Sequence, residues 1–225
     1  MQNFTNILTG KSREHLVALP NALSPNHFLH PLAAKAFLAL QTAAHKAGFN
    51  LQPASSFRDF ERQKAIWNAK FRCERKVHDD WNQALDLSCL DDWAKAQAIL
   101  RWSAMPGASR HHWGTEIDVF DPDLLPQGQS LQLEPWEYQA NGYFAELANW
   151  LVENLTYFDF YLPFSERCSK KIGLEPWHIS YFYLAENYAS QFKPEILLSA
   201  WENEDVAGKA CLEQHLDQIF KDYIL

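Results

Sequence analysis

Apolar and polar positions follow one another along this chain with a period that changes several times. In residues 31–47, Leu32, Ala36, Phe37, Leu40, Ala43, Ala44 and Ala47 recur at helical spacing and Gly48 supplies a stop, which predicts the first firm helix. Residues 49–57 read as a short strand. Pro53 lies inside it and has no N–H for a ladder, so the strand is expected at an edge or in an irregular position. Asp59 is placed to cap a second helix reaching about Arg72 through Phe60, Gln63, Ile66, Trp67 and Ala69. Residues 73–90 are polar and mixed, with the character of an insertion over a site. Asp91 or Asp92 caps a third helix through Ala94, Ala98, Ile99 and Trp102, and residues 105–108 form a turn. Residues 116–120 alternate as a strand, ended by Asp121, Pro122 and Asp123. A fourth helix is predicted over 141–154, an aromatic-rich strand over 157–164, another strand over 177–183, and two or three helices from Ala185 onward. Short strands among helices, without regular βαβ alternation, predict an α+β fold with a small antiparallel sheet.

Length and charge narrow the picture. A chain of 225 residues fits one good-sized domain or two small ones, and it can bury a core without disulfides. The expectation is a single domain over 1–225, with a motif-bearing core at 55–183 and a helical tail at 185–225. The net charge of −8, with no run of Lys or Arg, argues against nucleic acid or an anionic membrane as partners; an anionic ligand would need local cations. No window approaches the roughly eighteen apolar residues of a membrane span. Lys11, Arg13, Glu14 and His15 interrupt the apolar stretches near the start, so a cytoplasmic location is expected. The cysteines, Cys73, Cys89, Cys168 and Cys211, form no C-x-x-C pair, which speaks against a thiolate zinc site and for reduced thiols.

Chemistry concentrates in three stretches. SRHHWGTEID, residues 109–118, holds two adjacent histidines and two acids. A catalytic zinc takes three protein ligands and keeps a position open for water. One short loop rarely wraps a tetrahedral ion, so a further ligand is expected from elsewhere. EPWH, residues 175–178, offers a Glu and a His three residues apart at the entry to a predicted strand, one to ligate and one to act as general base. Pro176 fixes part of the backbone between them. The residues alone leave His111 or His112 open, beside Asp118 and His178 as ligands and Glu175 as base. In SSFRDFERQ, residues 55–63, Arg58 stands between a strand and a helix, where a guanidinium can grip a carboxylate bidentately. The plain alternative is a surface arginine paired with Asp59 or Glu61. Trp113 and Trp177 lie inside these stretches and are expected to wall the site, the other tryptophans to fill the core.

Together these stretches resemble the VanY-type zinc carboxypeptidases of peptidoglycan, in the wider group with lysostaphin and hedgehog folds. The likeness rests on SFR at 56–58 with Gln63 five residues after the arginine, PGASRHHWGTEID at 106–118 and EPWHISYF at 175–182, in the family's order. It implies that His111, not His112, joins Asp118 and His178 on Zn2+, with Glu175 as base. It implies Ser109, Arg58 and Gln63 in the substrate pocket beside Trp177, with Arg58 clamping the substrate's terminal carboxylate or stabilising the oxyanion. The implied partners are peptidoglycan stem peptides or muropeptide fragments that lose a terminal D-amino acid. Some members act as D,D-carboxypeptidases on pentapeptides and others as L,D-carboxypeptidases on tetrapeptides; a cytoplasmic location favours the second, in cell-wall recycling. A phage-type endopeptidase and a non-catalytic zinc-stabilised module are the competing readings, and an intact Glu175 beside His178 argues against the module. One departure is that the alanine usual two residues before the aspartate is Glu116 here, expected to point outward or pair with an arginine, or, more sharply, to alter substrate preference. The stretch between Gln63 and Ser109 is enlarged.

Overall fold

Capping side chains set several of the helix boundaries in the computed structural model, which describes residues 2–20, 22–165 and 170–224. Helix α1 (Gln2–Leu8) leads into a two-stranded antiparallel hairpin, β1 (Val17–Ala18) with β2 (Phe28–Leu29). Helix α2 (Pro31–Lys46) has proline in its first turn, where no N–H is needed, and buries Ala33, Ala34, Phe37, Leu40 and Ala44 as one stripe. Strand β3 (Gln52–Ser55) is an edge strand with a register shift between Pro53 and Ser55, as the missing proline N–H requires. In α3 (Phe60–Phe71) the Asp59 carboxylate accepts from the Arg62 N–H at 2.7 Å, and in α4 (Asp92–Leu100) Asp91 caps through the Ala94 N–H at 2.8 Å.

Strand β4 (Glu116–Phe120) lies at the centre of a second sheet. It pairs with β3 on one side and with β6 (His178–Tyr181) on the other, and β5 (Phe160–Tyr161) closes the order β3-β4-β6-β5. All the pairings are antiparallel, so the fold is α+β with a small antiparallel sheet.

Some expectations need correction. Helix α5 (Pro135–Tyr138) is a separate short turn, and α6 (Ala145–Asn154) starts later than residue 141. Asn141 takes a left-handed φ of 72°, and the Phe144 N–H bonds back to the Glu137 carbonyl at 2.7 Å, which ties residues 141–144 to α5 instead. The strand expected over 157–164 shrinks to two residues. A 3-10 turn occupies Leu155–Phe158 and Asp159 is left-handed at φ 61°, while Phe160 packs edge-on against Phe37 and Tyr181. Aromatic content there serves the core, not strand length. Likewise β6 ends at Tyr181, and α7 (Phe182–Gln191) begins directly after it.

Two apolar clusters hold the molecule. One gathers α2, α6 and one face of the sheet around Phe37, Leu147, Ile117 and Ile179. The other gathers α1, α3, α4 and the C-terminal helices α8 (Pro194–Ala200), α9 (Lys209–Gln214) and α10 (Leu216–Ile219) around Trp67, Ile99, Trp113 and Trp201. The tail is therefore built into the core. Trp201 donates its indole N–H to the Pro106 carbonyl at 2.8 Å, and Trp113 donates to the Leu8 carbonyl at 3.1 Å. Both chain ends thus brace the loop that carries the histidine pair. Cys73, Cys89 and Cys211 are free thiols, and Cys168 lies outside the described residues.

Candidate metal centre and its cleft

Strand register performs the first part of the assembly. Between β4 and β6, Asp118 stands opposite His178, Ile117 opposite Ile179 and Glu116 opposite Ser180. Side chains alternate between the faces of a strand, so Glu116, Asp118, His178 and Ser180 share one face. Ile117, Val119, Ile179 and Tyr181 occupy the other and enter the apolar cluster. His111 arrives from a 3-10 turn, Arg110–Trp113, which ends at the left-handed Gly114 just before β4.

Each of these histidines is oriented by a bond on its far side. His111 Nδ1 lies 2.8 Å from the Ser56 carbonyl, which can only accept, so the ring is read as Nδ1–H with its Nε2 lone pair turned inward. That Nε2 is 3.3 Å from Asp118 Oδ2. His178 turns the opposite way, with Nε2 2.8 Å from Glu116 Oε2 and Nδ1 3.1 Å from Asp118 Oδ1. One ligand atom from each of His111, Asp118 and His178 lies within 4.8 Å of the others, and all three residues are buried. A tetrahedral ion with bonds of ~2.0–2.1 Å spaces its ligand atoms roughly 3.3 Å apart. Asp118 Oδ1 is buried with no hydrogen-bond partner despite its nearness to His178, as an oxygen reserved for a metal would be. The donor set, two imidazoles and a carboxylate, suits Zn2+, so these residues fit the ion.

His112 is occupied elsewhere. Its Nδ1–H donates to the Arg58 carbonyl at 2.6 Å, and its Nε2 accepts from the Gly107 N–H at 3.1 Å. Burial pushes its pKa down to about 3, so the ring stays neutral and latches two loops together. Gly10 packs against that ring so closely that any Cβ there would collide with it. Of the two adjacent histidines, His111 turns a ring nitrogen toward Asp118, whereas both ring nitrogens of His112 are taken up by backbone groups.

Glu175 borders the same centre, with Oε2 3.4 Å from His178 Nδ1. Burial first, then the charge of Asp118, raises its pKa to about 7 against the pull of His178 and Arg58, the range suited to a group that takes and returns protons. Arg58 pairs with neither Asp59 nor Glu61. Asp59 caps α3, Glu61 meets Lys64 at 2.9 Å, and Arg58 donates to Gln63 Oε1 at 2.9 Å and to Ser55 Oγ at 3.4 Å. Gln63 was expected in the pocket but is fully buried behind Arg58, with its amide N–H given to the Ala104 carbonyl. It reaches the site only through the guanidinium. Ser109, Trp113 and Trp177 line a cleft of about 690 Å3 together with Arg58, His111 and Glu175. Both tryptophans are nearly buried and pack in opposite apolar clusters, Trp177 against Tyr138 at 5.5 Å.

Glu116 does not point outward. It is fully buried, hydrogen-bonded to His178, Ser180 (2.8 Å) and Thr115 (3.1 Å), and ion-paired with Arg110 at 3.3 Å. Burial opposes its charge, but Arg110 and the bonds from His178 and Ser180 prevail and hold its pKa down to about 2. Arg110 in turn donates to Tyr161 Oη at 2.7 Å and to Ser180 Oγ at 3.0 Å. The signal was present in the sequence: in a strand, a residue two before Asp118 shares its face.

A family model for D-alanyl-D-alanine carboxypeptidase, VanY, matches residues 26–184. The chain belongs to this family. Two uncharacterised proteins of Haemophilus influenzae are similar to it. One is 63% identical over 119 residues, 52% of this chain and 91% of that protein. The other is 71% identical over 99 residues, 44% of this chain and 68% of that protein. Among solved structures, VanYB in complex with D-alanine-D-alanine matches with a TM-score of 0.54 at 22% identity, over 84% of this chain and 90% of that one. The LdcB LD-carboxypeptidase matches at 0.58 and 20% identity, over 86% of each chain. A mutant of the vancomycin resistance D,D-pentapeptidase VanY in complex with Zn(II) matches at 0.50 and 24% identity, over 81% of this chain and 88% of that one. At these identities the likeness speaks for a shared fold. The VanY family thus includes this chain, and its solved neighbours are carboxypeptidases of both D,D and L,D kinds.

Proposed function

We propose that this protein is a zinc-dependent carboxypeptidase that removes the terminal D-amino acid from peptidoglycan stem peptides, as an L,D-carboxypeptidase on tetrapeptides. The observation that carries the reading is the convergence of His111 Nε2, Asp118 and His178 Nδ1 beside the carboxyl of Glu175 at the edge of a cleft. Membership of the VanY family supports the reaction class. In a compartment that also holds the pentapeptide precursor, an L,D-specific enzyme spares that precursor whereas a D,D-specific one destroys it. The L,D reading thus goes with a role in recycling wall fragments in the cytoplasm.

Zinc, when held by His111, Asp118 and His178, would lower the pKa of water toward ~7 and polarise the scissile carbonyl. Glu175 takes the proton of the attacking water and delivers it to the leaving amine, so one peptide bond and one water become a carboxylate and an amine. Arg58, held in place by Gln63 and Ser55, meets the negative charge of the substrate. Trp177 and Ser109 wall the pocket around the terminal residue. The domain is read as a single unit over the whole chain, because the C-terminal helices complete the core under the motif loop.

The test is mass spectrometry of the purified protein with zinc and, in a parallel sample, a chelator, given muropeptide tetrapeptide and pentapeptide separately. Loss of one residue from the tetrapeptide alone, abolished by the chelator, is the expected result. Loss from the pentapeptide instead would overturn the L,D assignment, and an unchanged rate in chelator would overturn the zinc mechanism.

A further inference from the structure

The cleft continues past the metal centre along a wall that carries positive charge. Arg62, Ile66 and Lys70 recur every fourth residue on α3 and turn one helix face toward it; Arg75 and Lys76 follow from the next segment. This is unexpected in a chain of net charge −8. Several cations elsewhere are paired: Lys11 and Lys64 with Glu204, Arg72 with Asp205, Arg101 with Asp80, Arg110 with Glu116 and Lys171 with Asp222. Among the described residues, Lys70, Arg75 and Lys76 make no ion pair with a carboxylate. Lys70 is the most enclosed of the three, and its ammonium is held by Ser103 Oγ at 2.7 Å, a neutral partner. Burial first, then Arg75 and Arg58, lowers its pKa to about 8. Glu175 and Glu134 pull the other way, but neither forms an ion pair with Lys70; desolvation of the ammonium is costly, and an anion arriving in direct contact relieves that cost.

The segment carrying Arg75 and Lys76 is the polar insertion at 73–90, and the fold fixes it. Val77 and Leu87 are buried in the apolar cluster, His78 bridges to Ala84, and Arg101 grips Asp80 with Nε at 2.7 Å and a terminal nitrogen at 2.8 Å. Besides Asp118 and Glu175, the cleft carries one further carboxylate, Glu134, which lies 3.9 Å from His78 Nδ1.

We propose that Lys70 and Arg75 form a second anion subsite, separate from Arg58, which takes a free carboxylate carried by the substrate upstream of the scissile bond. The proposal rests on the peptidase reading above and specifies its substrate class: acidic peptides with at least one carboxylate besides the terminal one. Local cations matter the more because the chain's overall negative charge repels such peptides.

The experiment compares two peptides of one sequence on the zinc-loaded full chain, one with free upstream carboxylates and one with them amidated. Wild type is expected to favour the free acid by about tenfold to a hundredfold in kcat/KM, the value of a charge-assisted contact. Lys70→Met is expected to bring that ratio near one, and Arg75→Ala, at an exposed position that spares the core, to reduce it severalfold. A wild-type ratio near one overturns the subsite, as does a wild-type ratio retained in both variants. If wild type cleaves neither peptide, the peptidase reading fails instead, and calorimetric binding of the same two peptides decides the subsite. Tighter binding of the free acid that Lys70→Met abolishes sustains it, and equal binding of the two overturns it.

Discussion

The two faces of the β4–β6 ladder are equally buried and built for opposite purposes. On one, Ile117, Val119 and Ile179 are fully removed from water among other apolar side chains. On the other, Glu116 and Ser180 are just as inaccessible, and Asp118 and His178 nearly so, yet each is polar or charged. The apolar face stabilises by area, at about 1.5–3 kcal/mol for each large side chain. The polar face would cost free energy if its groups were left alone, and it is offset by mutual bonding: Arg110 to Glu116, Glu116 to His178, Ser180 to Glu116. One atom in that network, Asp118 Oδ1, stays without a hydrogen bond. Burial thus builds the fold on one side of the strands and a chemically poised site on the other.

That contrast can be broken from either side. His178→Ala removes a proposed ligand and is expected to abolish stoichiometric zinc binding, read by metal analysis after gel filtration, with no measurable turnover. Glu116→Ala frees the far side of the His178 ring. Loss of such an outer partner typically costs ~10–100-fold in metal affinity, measurable by competition with a chromophoric chelator, and Glu116→Gln should recover part of it by keeping one hydrogen-bonding oxygen. Ile179→Ala acts on the opposite face at the next position. It is expected to lower unfolding free energy by about 2–5 kcal/mol in a urea titration while the folded protein keeps its zinc affinity. Should zinc affinity fall with it, the two faces are not separable. Ser180→Ala removes a hydroxyl shared by Glu116 and Arg110 and is expected to cost only about 1 kcal/mol, because the stronger charged contacts remain.

Much of this was legible in the sequence where the signal is local. Helix starts at Asp59 and Asp91 follow from side chains that cap the third N–H ahead, and the edge position of β3 follows from Pro53. The meeting of His111, Asp118 and His178 was foreseeable because the two acid–histidine stretches each adjoin a strand, and adjacent strands bring such stretches together. What was not legible depended on contacts distant in sequence. Nothing in PGASRHHWG reveals that His112 spends both ring nitrogens on the Gly107 and Arg58 backbones. Gln63 reads as a pocket residue until Ala104 is seen to hold it behind Arg58. Aromatic runs such as 157–164 suggest a strand whose residues are in fact required by Phe37 and Tyr181 across the core. For Glu116 the expected pairing with an arginine holds, through Arg110, while the outward alternative fails because Arg110 and His178 stand on the same buried face.

The most direct test of the central claim is Glu175→Ala measured beside wild type on one preparation, with zinc content and release of the terminal residue from muropeptide substrate read from the same samples. The account predicts about one zinc per chain in both proteins, since Glu175 is not among the three converging ligand residues, and turnover in wild type only. Near-normal turnover in Glu175→Ala, or loss of the zinc with the glutamate, would contradict the division of labour between the metal-holding residues and the proton carrier.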